Sequence, residues 1–217
     1  MLLVKRREPN ERIMSDIKLA IIYYSSTGVN HQMAQWAEES AQKTGAEVKL
    51  RKIKEIAPQA AIESNPAWKK HVEITKNVPE VSLDDLEWAD AYIFSFPTRY
   101  GNIPSQAQQF FDTTGGLWSK GKLANKVVSA MTSAVNTHGG QESTLLGIYK
   151  SMCHWGAIVA APGYTDEVSY AAGGNPYGTS VSVDMEGNMK EDVKDAVSSQ
   201  AKRTVTVARW IKKGKES

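Results

Sequence analysis

A chain of 217 residues with 41% hydrophobic and 23% charged side chains can fill one domain with a single sizeable core. Its 26 basic and 24 acidic residues are spread along the whole length, so the formal charge of +2 leaves no electrostatic footprint for nucleic acid. The one cysteine, Cys153, excludes an internal disulfide framework and fits a reducing, cytoplasmic setting, and no apolar run approaches the length that spans a bilayer.

The opening MLLVKRREPNER has only a short apolar stretch before a basic run, too little for a secretory signal, and the periodic pattern starts after Met14. Residues 1–15 therefore read as a disordered or mis-started tail and 16–213 as a single domain. Residues 18–24, KLAIIYY, fit a strand buried on both faces that stops at Ser25-Ser26-Thr27-Gly28. From Asn30 the period changes: Met33, Trp36, Ala37 and Ala41 recur at helical spacing until Gly45. Further strands are expected at 46–53, 91–97, 127–134 and 157–162, and helices at 105–112, 142–154 and 191–211. The last helix carries Val193, Ala196, Val197, Ala201, Val205, Ala208 and Ile211 on one stripe. Strands alternating with helices predict an α/β fold of three layers, a parallel sheet with helices on both faces. Two stretches, 55–81 and 163–190, are too long for simple connections and read as functional or irregular loops.

In an open parallel sheet, ligands bind outside the carboxyl ends of the strands, which singles out residues 25–30, 98–104 and 134–141. The first of these, Ser25-Ser26-Thr27-Gly28-Val29-Asn30, sets hydroxyls and a glycine before a helix N-terminus, where free N–H groups favour an anion. It has no lysine of the nucleoside-triphosphate loop, and no G-x-G-x-x-G follows any strand, so it suits a terminal monophosphate such as that of FMN. An ordinary Ser/Thr helix cap has the same signature. In the second, Gly101 permits close backbone approach to a flat ring and Tyr100 can flank it, whereas Arg99 reads equally as a solvated loop residue. The third, rich in glycine, matches either a ring contact or a flexible turn.

Cys153 and His154 are neighbours on a helix, about 100° apart, and do not form a nucleophile and base. Cys153 reads as a small buried hydrophobe. His31, His71, His138 and His154 lack metal-ligand spacing, so no metal is expected.

The blocks YYSSTG, FPTRYGNIPSQAQQFFDTTGGLW, GGQEST and GGNPYG, within residues 18–211, resemble the WrbA family of flavodoxin-like NAD(P)H:quinone oxidoreductases. The resemblance implies a five-stranded sheet of order 2-1-3-4-5, noncovalent FMN, NADH or NADPH as donor and a quinone as acceptor. It also implies a homotetramer, a dimer of dimers, whose subunits share sites. Phosphate contacts fall on Ser25, Ser26, Thr27, Gly28, Val29 and Asn30, and isoalloxazine contacts on Pro97, Thr98, Arg99, Tyr100, Gly101 and Asn102. Ser133, Ala134, Val135, Asn136, Thr137, Gly139 and His154 complete the FMN set. Trp118 matches the tryptophan that covers the flavin pocket of a neighbouring subunit and, with His154, is the catalytic assignment; GGNPYG matches a loop near the site. Where many members have Met-Tyr-Gly-His this chain has Ser26-Thr27-Gly28-Val29, and the fourth-strand loop is one residue longer. The expected reaction is a ping-pong, two-electron reduction of quinones through flavin N5. The alternatives are a one-electron flavodoxin-type carrier, for which the chain lacks an acidic docking face, and a non-catalytic regulatory flavoprotein, for which no helix-turn-helix supports nucleic-acid contact.

Overall fold

The apolar runs at β1 (Lys18–Tyr23), β3 (Ala91–Pro97) and β4 (Val127–Ala134) are almost wholly buried and pair in parallel. With β2 (Glu47–Lys52) and β5 (Ile158–Val159) at the edges, the sheet order is β2-β1-β3-β4-β5. The computed structural model from which these elements come describes residues 17–184 and 187–216, so the tail expected at 1–15 lies outside the described residues.

Alternate residues of each strand serve opposite layers. Leu19, Ile21, Tyr23 and Ile93 pack with Met33 and Ala37 of α1 (Val29–Gln42) and with Val197, Ala201 and Val205 of α9 (Lys194–Glu216). Ala20, Ile22, Tyr92, Phe94 and Phe96 pack with Phe111 of α5 (Ser105–Asp112) and with Leu145, Ile148 and Met152 of α7 (Gln141–Trp155). Strands covered on both faces carry nearly continuous apolar runs, which is why apolar runs bounded by polar turns located them.

The stretch 55–81 is more regular than expected. It holds α2 (Gln59–Glu63) and α3 (Pro66–Ile74), with α4 (Leu83–Trp88) following. Asn65 caps α3 by accepting from the N–H groups of Ala67 and Trp68, and Pro66 stands at the first helical position, where its missing N–H is harmless. A capping box of Ser82 and Asp85 opens α4. Single turns α6 (Gly115–Ser119) and α8 (Val168–Ala171) complete the helices described.

The far edge also departs from expectation. The run at 157–162 contributes only the two residues of β5, which pair with Val127 and Val128. Residues 160–179 then leave the sheet, and β6 (Ser180–Ser182) returns to the same flank of β4 opposite Thr132, Ser133 and Ala134. The sheet is therefore six-stranded rather than five, its last edge position being shared by two short segments. A Cβ at Gly178 would lie 2.0 Å from the Ala130 carbonyl oxygen, so the return requires glycine.

Glu55, beyond β2, ties three elements together. Its carboxylate accepts from the hydroxyl of Tyr24 (2.9 Å), Nε2 of Gln106 (2.9 Å), Nε1 of Trp68 (3.0 Å) and the N–H of Ala57 (2.9 Å). Burial pushes the carboxyl pKa up, but these donors outweigh it and hold it below its ordinary 4.5. A depressed folded pKa adds stability that is present above 4.5 and lost as pH falls through the folded value. Glu55→Ala is expected to cost about 2 kcal/mol near neutral pH, because Tyr24 and Gln106 lose a charged acceptor. Urea melts at about pH 7 and about pH 3.5 check this: the deficit should shrink in acid, and an equal deficit at both would contradict the assignment.

Candidate functional site

The loop after β1 ends at Gly28, which adopts φ +107° as the N-cap of α1. Ser25 Oγ accepts the Gly28 N–H at 2.9 Å and tightens the turn. No side chain caps α1 and no acidic residue stands in its first turn, so the first N–H groups of a fourteen-residue helix are left open with the positive end of its dipole. Ser26 and Thr27 add hydroxyls at the same place.

The loop after β3 turns back on itself. The N–H of Arg99 donates to the Asn102 carbonyl (2.7 Å) and the N–H of Asn102 to the Arg99 carbonyl (3.0 Å), with Tyr100 (φ +52°) and Gly101 (φ +77°) both left-handed, as a type I′ turn requires. This presents Tyr100 fully exposed at the cavity rim. Arg99 Nη2 donates to Ser26 Oγ at 3.0 Å, so the guanidinium brings to the first loop the positive charge that its own sequence lacks. The loop after β4 packs against this turn: a Cβ at Gly140 would lie 2.6 Å from Gly101 Cα, and Ser143 Oγ donates to the Gly101 carbonyl at 3.0 Å.

The three loops are held in register by Asn30, which is 1% exposed. Its Nδ2 donates to Ser95 Oγ (3.2 Å), Ser95 Oγ–H donates to the Asn30 carbonyl (3.0 Å), and Ser133 Oγ–H donates to Asn30 Oδ1 (2.6 Å). One amide thereby fastens the first turn of α1 to the carboxyl ends of β3 and β4.

Of the expected site residues, Ser25, Ser26, Thr27, Val29, Asn30, Pro97, Thr98, Arg99, Tyr100, Ser133, Ala134, Val135, Asn136 and Gly139 line one cavity of about 530 Å³. Gly28 backs onto His71, Gly101 and Asn102 complete the turn that carries Arg99, and Thr137 faces a separate cleft beside the Asn175-Pro176-Tyr177 loop. His154 and Trp118 do not line the cavity of their own chain. From Gln141 to His154, α7 carries the chain about 20 Å at 1.5 Å per residue, to the amino ends of the strands, where the Gly156 carbonyl accepts from the Asn125 N–H just before β4. Within one chain His154 is thus placed away from this cavity. The structure instead joins the two catalytic candidates to each other: Trp118 Nε1–H donates to the His154 carbonyl at 2.9 Å, and the indole is 57% exposed. Cys153, expected to be buried, is exposed, because Leu145, Ile148, Met152 and Trp155 form the inward face of α7.

The sequence reading missed Asn65 and Ala67 on one wall, and Val183, Asp184 and Gly187 on another. The Asn65-Pro66 pair is a legible helix start; the second group follows from the divided edge strand and had no local signal. The Asp184 carboxylate accepts from the N–H and Nδ2 of Asn188 (2.7 and 3.0 Å). Among the described residues no three His, Cys, Asp or Glu side chains converge as metal ligands would, and no helix is long and apolar enough to cross a membrane.

Asn30→Ala leaves the buried Ser133 hydroxyl without its acceptor and takes the amide donor from Ser95 Oγ, which keeps its bond to the carbonyl of residue 30, so unfolding free energy is expected to fall by about 2–3 kcal/mol. Chemical denaturation measures it, with Ser95→Ala, which keeps the link to Ser133, costing less. A loss no larger than that of Ser95→Ala would show that the amide does not organise the loops.

Residues 17–165 match the family described as NADPH-dependent FMN reductase. A relative from Deinococcus radiodurans, named NAD(P)H dehydrogenase (quinone), is 52% identical over 189 residues, covering 87% of this chain and 94% of the relative. One of the same name from Sinorhizobium fredii is 36% identical, covering 88% and 96%. Among solved structures, a flavodoxin, WrbA-like protein from Agrobacterium tumefaciens superposes with a TM-score of 0.58 at 20% identity, covering 90% of this chain and 99% of that one. A flavodoxin from the domain Archaea gives 0.56 at 15%, with the same coverage. At such identities these likenesses show the flavodoxin-like fold alone. The family match over most of the length, with a relative more than half identical along nearly the whole of it, establishes that this chain belongs to the NADPH-dependent FMN reductase family.

Proposed function

We propose that the chain is an FMN-dependent NAD(P)H:quinone oxidoreductase of the WrbA-like kind. The observation that carries this is the open N-terminus of α1, whose N–H groups and flanking hydroxyls share one cavity with the turns after β3 and β4. That donor set fits a terminal phosphate, and the space between the two turns fits a flat ring. FMN held there would supply the two-electron chemistry that links NADH or NADPH to a quinone.

The protein's own residues bind and orient. Val29 and Asn30 N–H groups, with the Ser26 and Thr27 hydroxyls, hold the phosphate, and Arg99 neutralises it. The Tyr100 N–H, the one backbone donor from Thr98 to Asn102 that makes no hydrogen bond among the described residues, meets the polar edge of the ring and stabilises charge on it, an electrostatic role of the oxyanion-hole type. Ser133 to Gly139 close the other side. Trp118 and His154 act on a neighbouring subunit: their exposure and their distance from the cavity of their own chain support a homotetramer, a dimer of dimers, in which this pair covers the pocket of another copy. The exposed free thiol of Cys153 supports a reducing, cytoplasmic location.

Isothermal titration should show stoichiometric FMN binding and weaker binding of FAD, since the cavity offers a single phosphate loop. Equal or tighter FAD binding, or no flavin binding, would refute the cofactor. Ser26→Ala and Thr27→Ala should each cost about 1.5–3 kcal/mol in FMN affinity while flavin-saturated turnover is largely kept.

Light scattering should give the mass of four chains with FMN saturating; a monomer at micromolar concentration would end the shared-site reading. Trp118→Ala should raise the quinone KM about two- to tenfold, the worth of one aromatic stacking surface, with FMN affinity little changed. Unchanged quinone kinetics would remove Trp118 from the site.

A further inference from the structure

A second cavity, of about 560 Å³, lies between α1 and α3 on the far side of the first loop. Thr27 and Ala67 line both cavities, so the two adjoin along that edge. Gln32, Gln35, Lys70 and two imidazoles make the second one polar, and no carboxylate lines it. Lys70 is exposed on α3 and has no ion pair among the described residues. His71 is only 4% exposed, and its Nδ1 is buried against Gly28 without a hydrogen-bond partner. His31 stacks on Tyr23 at 4.6 Å and stands 5.4 Å from His71, ring to ring. Burial lowers the pKa of both imidazoles, that of His71 to about 4, so at neutral pH they offer hydrogen bonds rather than charge.

One free ammonium, two amides and two neutral imidazoles, with no acid, suit a ligand that carries a phosphate and a polar heterocycle. A reader of an unmodified ribose 2′-hydroxyl is an Asp or Glu, which would repel a 2′-phosphate; the cavity has neither. A lysine on a flexible stem meets a phosphate dianion as a compact charge. We infer that this cavity takes the adenosine half of the nicotinamide dinucleotide and that Lys70 reads its 2′-phosphate, so that the enzyme prefers NADPH to NADH. The inference rests on the NAD(P)H reading above: with nicotinamide over the flavin, the dinucleotide crosses the edge shared by Thr27 and Ala67.

Calorimetric titration of the FMN-loaded protein with 2′,5′-ADP, 5′-AMP and inorganic phosphate tests it, alongside Lys70→Ala and a control, Lys69→Ala, whose side chain is outside the cavity lining. Binding of 2′,5′-ADP should be roughly tenfold tighter than that of 5′-AMP, as one charge-assisted contact provides. Lys70→Ala should abolish the difference and lower the ratio of kcat/KM for NADPH over NADH by the same factor; Lys69→Ala should keep the difference. Equal binding of the two nucleotides to the unaltered protein, or a Lys70→Ala variant that still discriminates, overturns the inference. Inorganic phosphate binding as tightly as 2′,5′-ADP would reduce the cavity to a simple anion site and overturn it too. Failure of both NADH and NADPH to bleach the bound flavin would sink the oxidoreductase reading instead, with the 2′,5′-ADP titration still deciding what the cavity binds.

Discussion

Everything at the candidate site depends on one buried amide. Asn30 has been taken out of water in the first turn of α1, and a polar group so placed must find partners inside the protein. It finds them on Ser95 and Ser133, at the carboxyl ends of β3 and β4. The consequence is geometric: the open N–H groups of α1 and the turns after β3 and β4 are fixed in one frame before any ligand arrives. Preorganisation of this kind is what lets backbone dipoles act on a cofactor without reorganising when it binds.

The electrostatics follow a similar economy of parts. The first loop has no cation of its own, and Arg99 reaches it from the neighbouring loop. Behind the loop, the buried imidazole of His71 stays neutral, so no positive charge sits under Gly28 at physiological pH. Glu55 holds the outer wall by joining Tyr24 at the end of β1, Gln106 at the start of α5 and Trp68 on α3. The anion pocket is therefore built from dipoles with one guanidinium, an arrangement suited to a single phosphate ester.

Much of this was legible in the sequence, and the reason is physical. Strands β1, β3 and β4 are covered on both faces, so their composition is predominantly apolar and their ends are marked by polar turns. Those ends define the ligand edge of a parallel sheet, which gave the three loops directly. The edge strand was harder: β5 holds two ladder residues and is half-buried, and its continuation β6 lies beyond an excursion that local patterning cannot span. Helices α2 and α3 were hidden because α2 is a single short turn and α3 buries little beyond His71; capping at Asn65-Pro66 was their only clear mark. Trp118 and His154 show a different limit. Which end of the sheet they occupy depends on the direction and length of α7, and that became clear only in three dimensions.

The central claim is that this pocket makes a bound flavin work as a two-electron relay. Anaerobic titration of the FMN-loaded protein with NADPH, followed by visible absorption and then by addition of a quinone, tests it most directly. One equivalent of NADPH should bleach the flavin in a single transition without a persistent one-electron radical band, and one equivalent of quinone should restore the colour. No bleaching by either NADPH or NADH, or a lasting radical band through the titration, would contradict it.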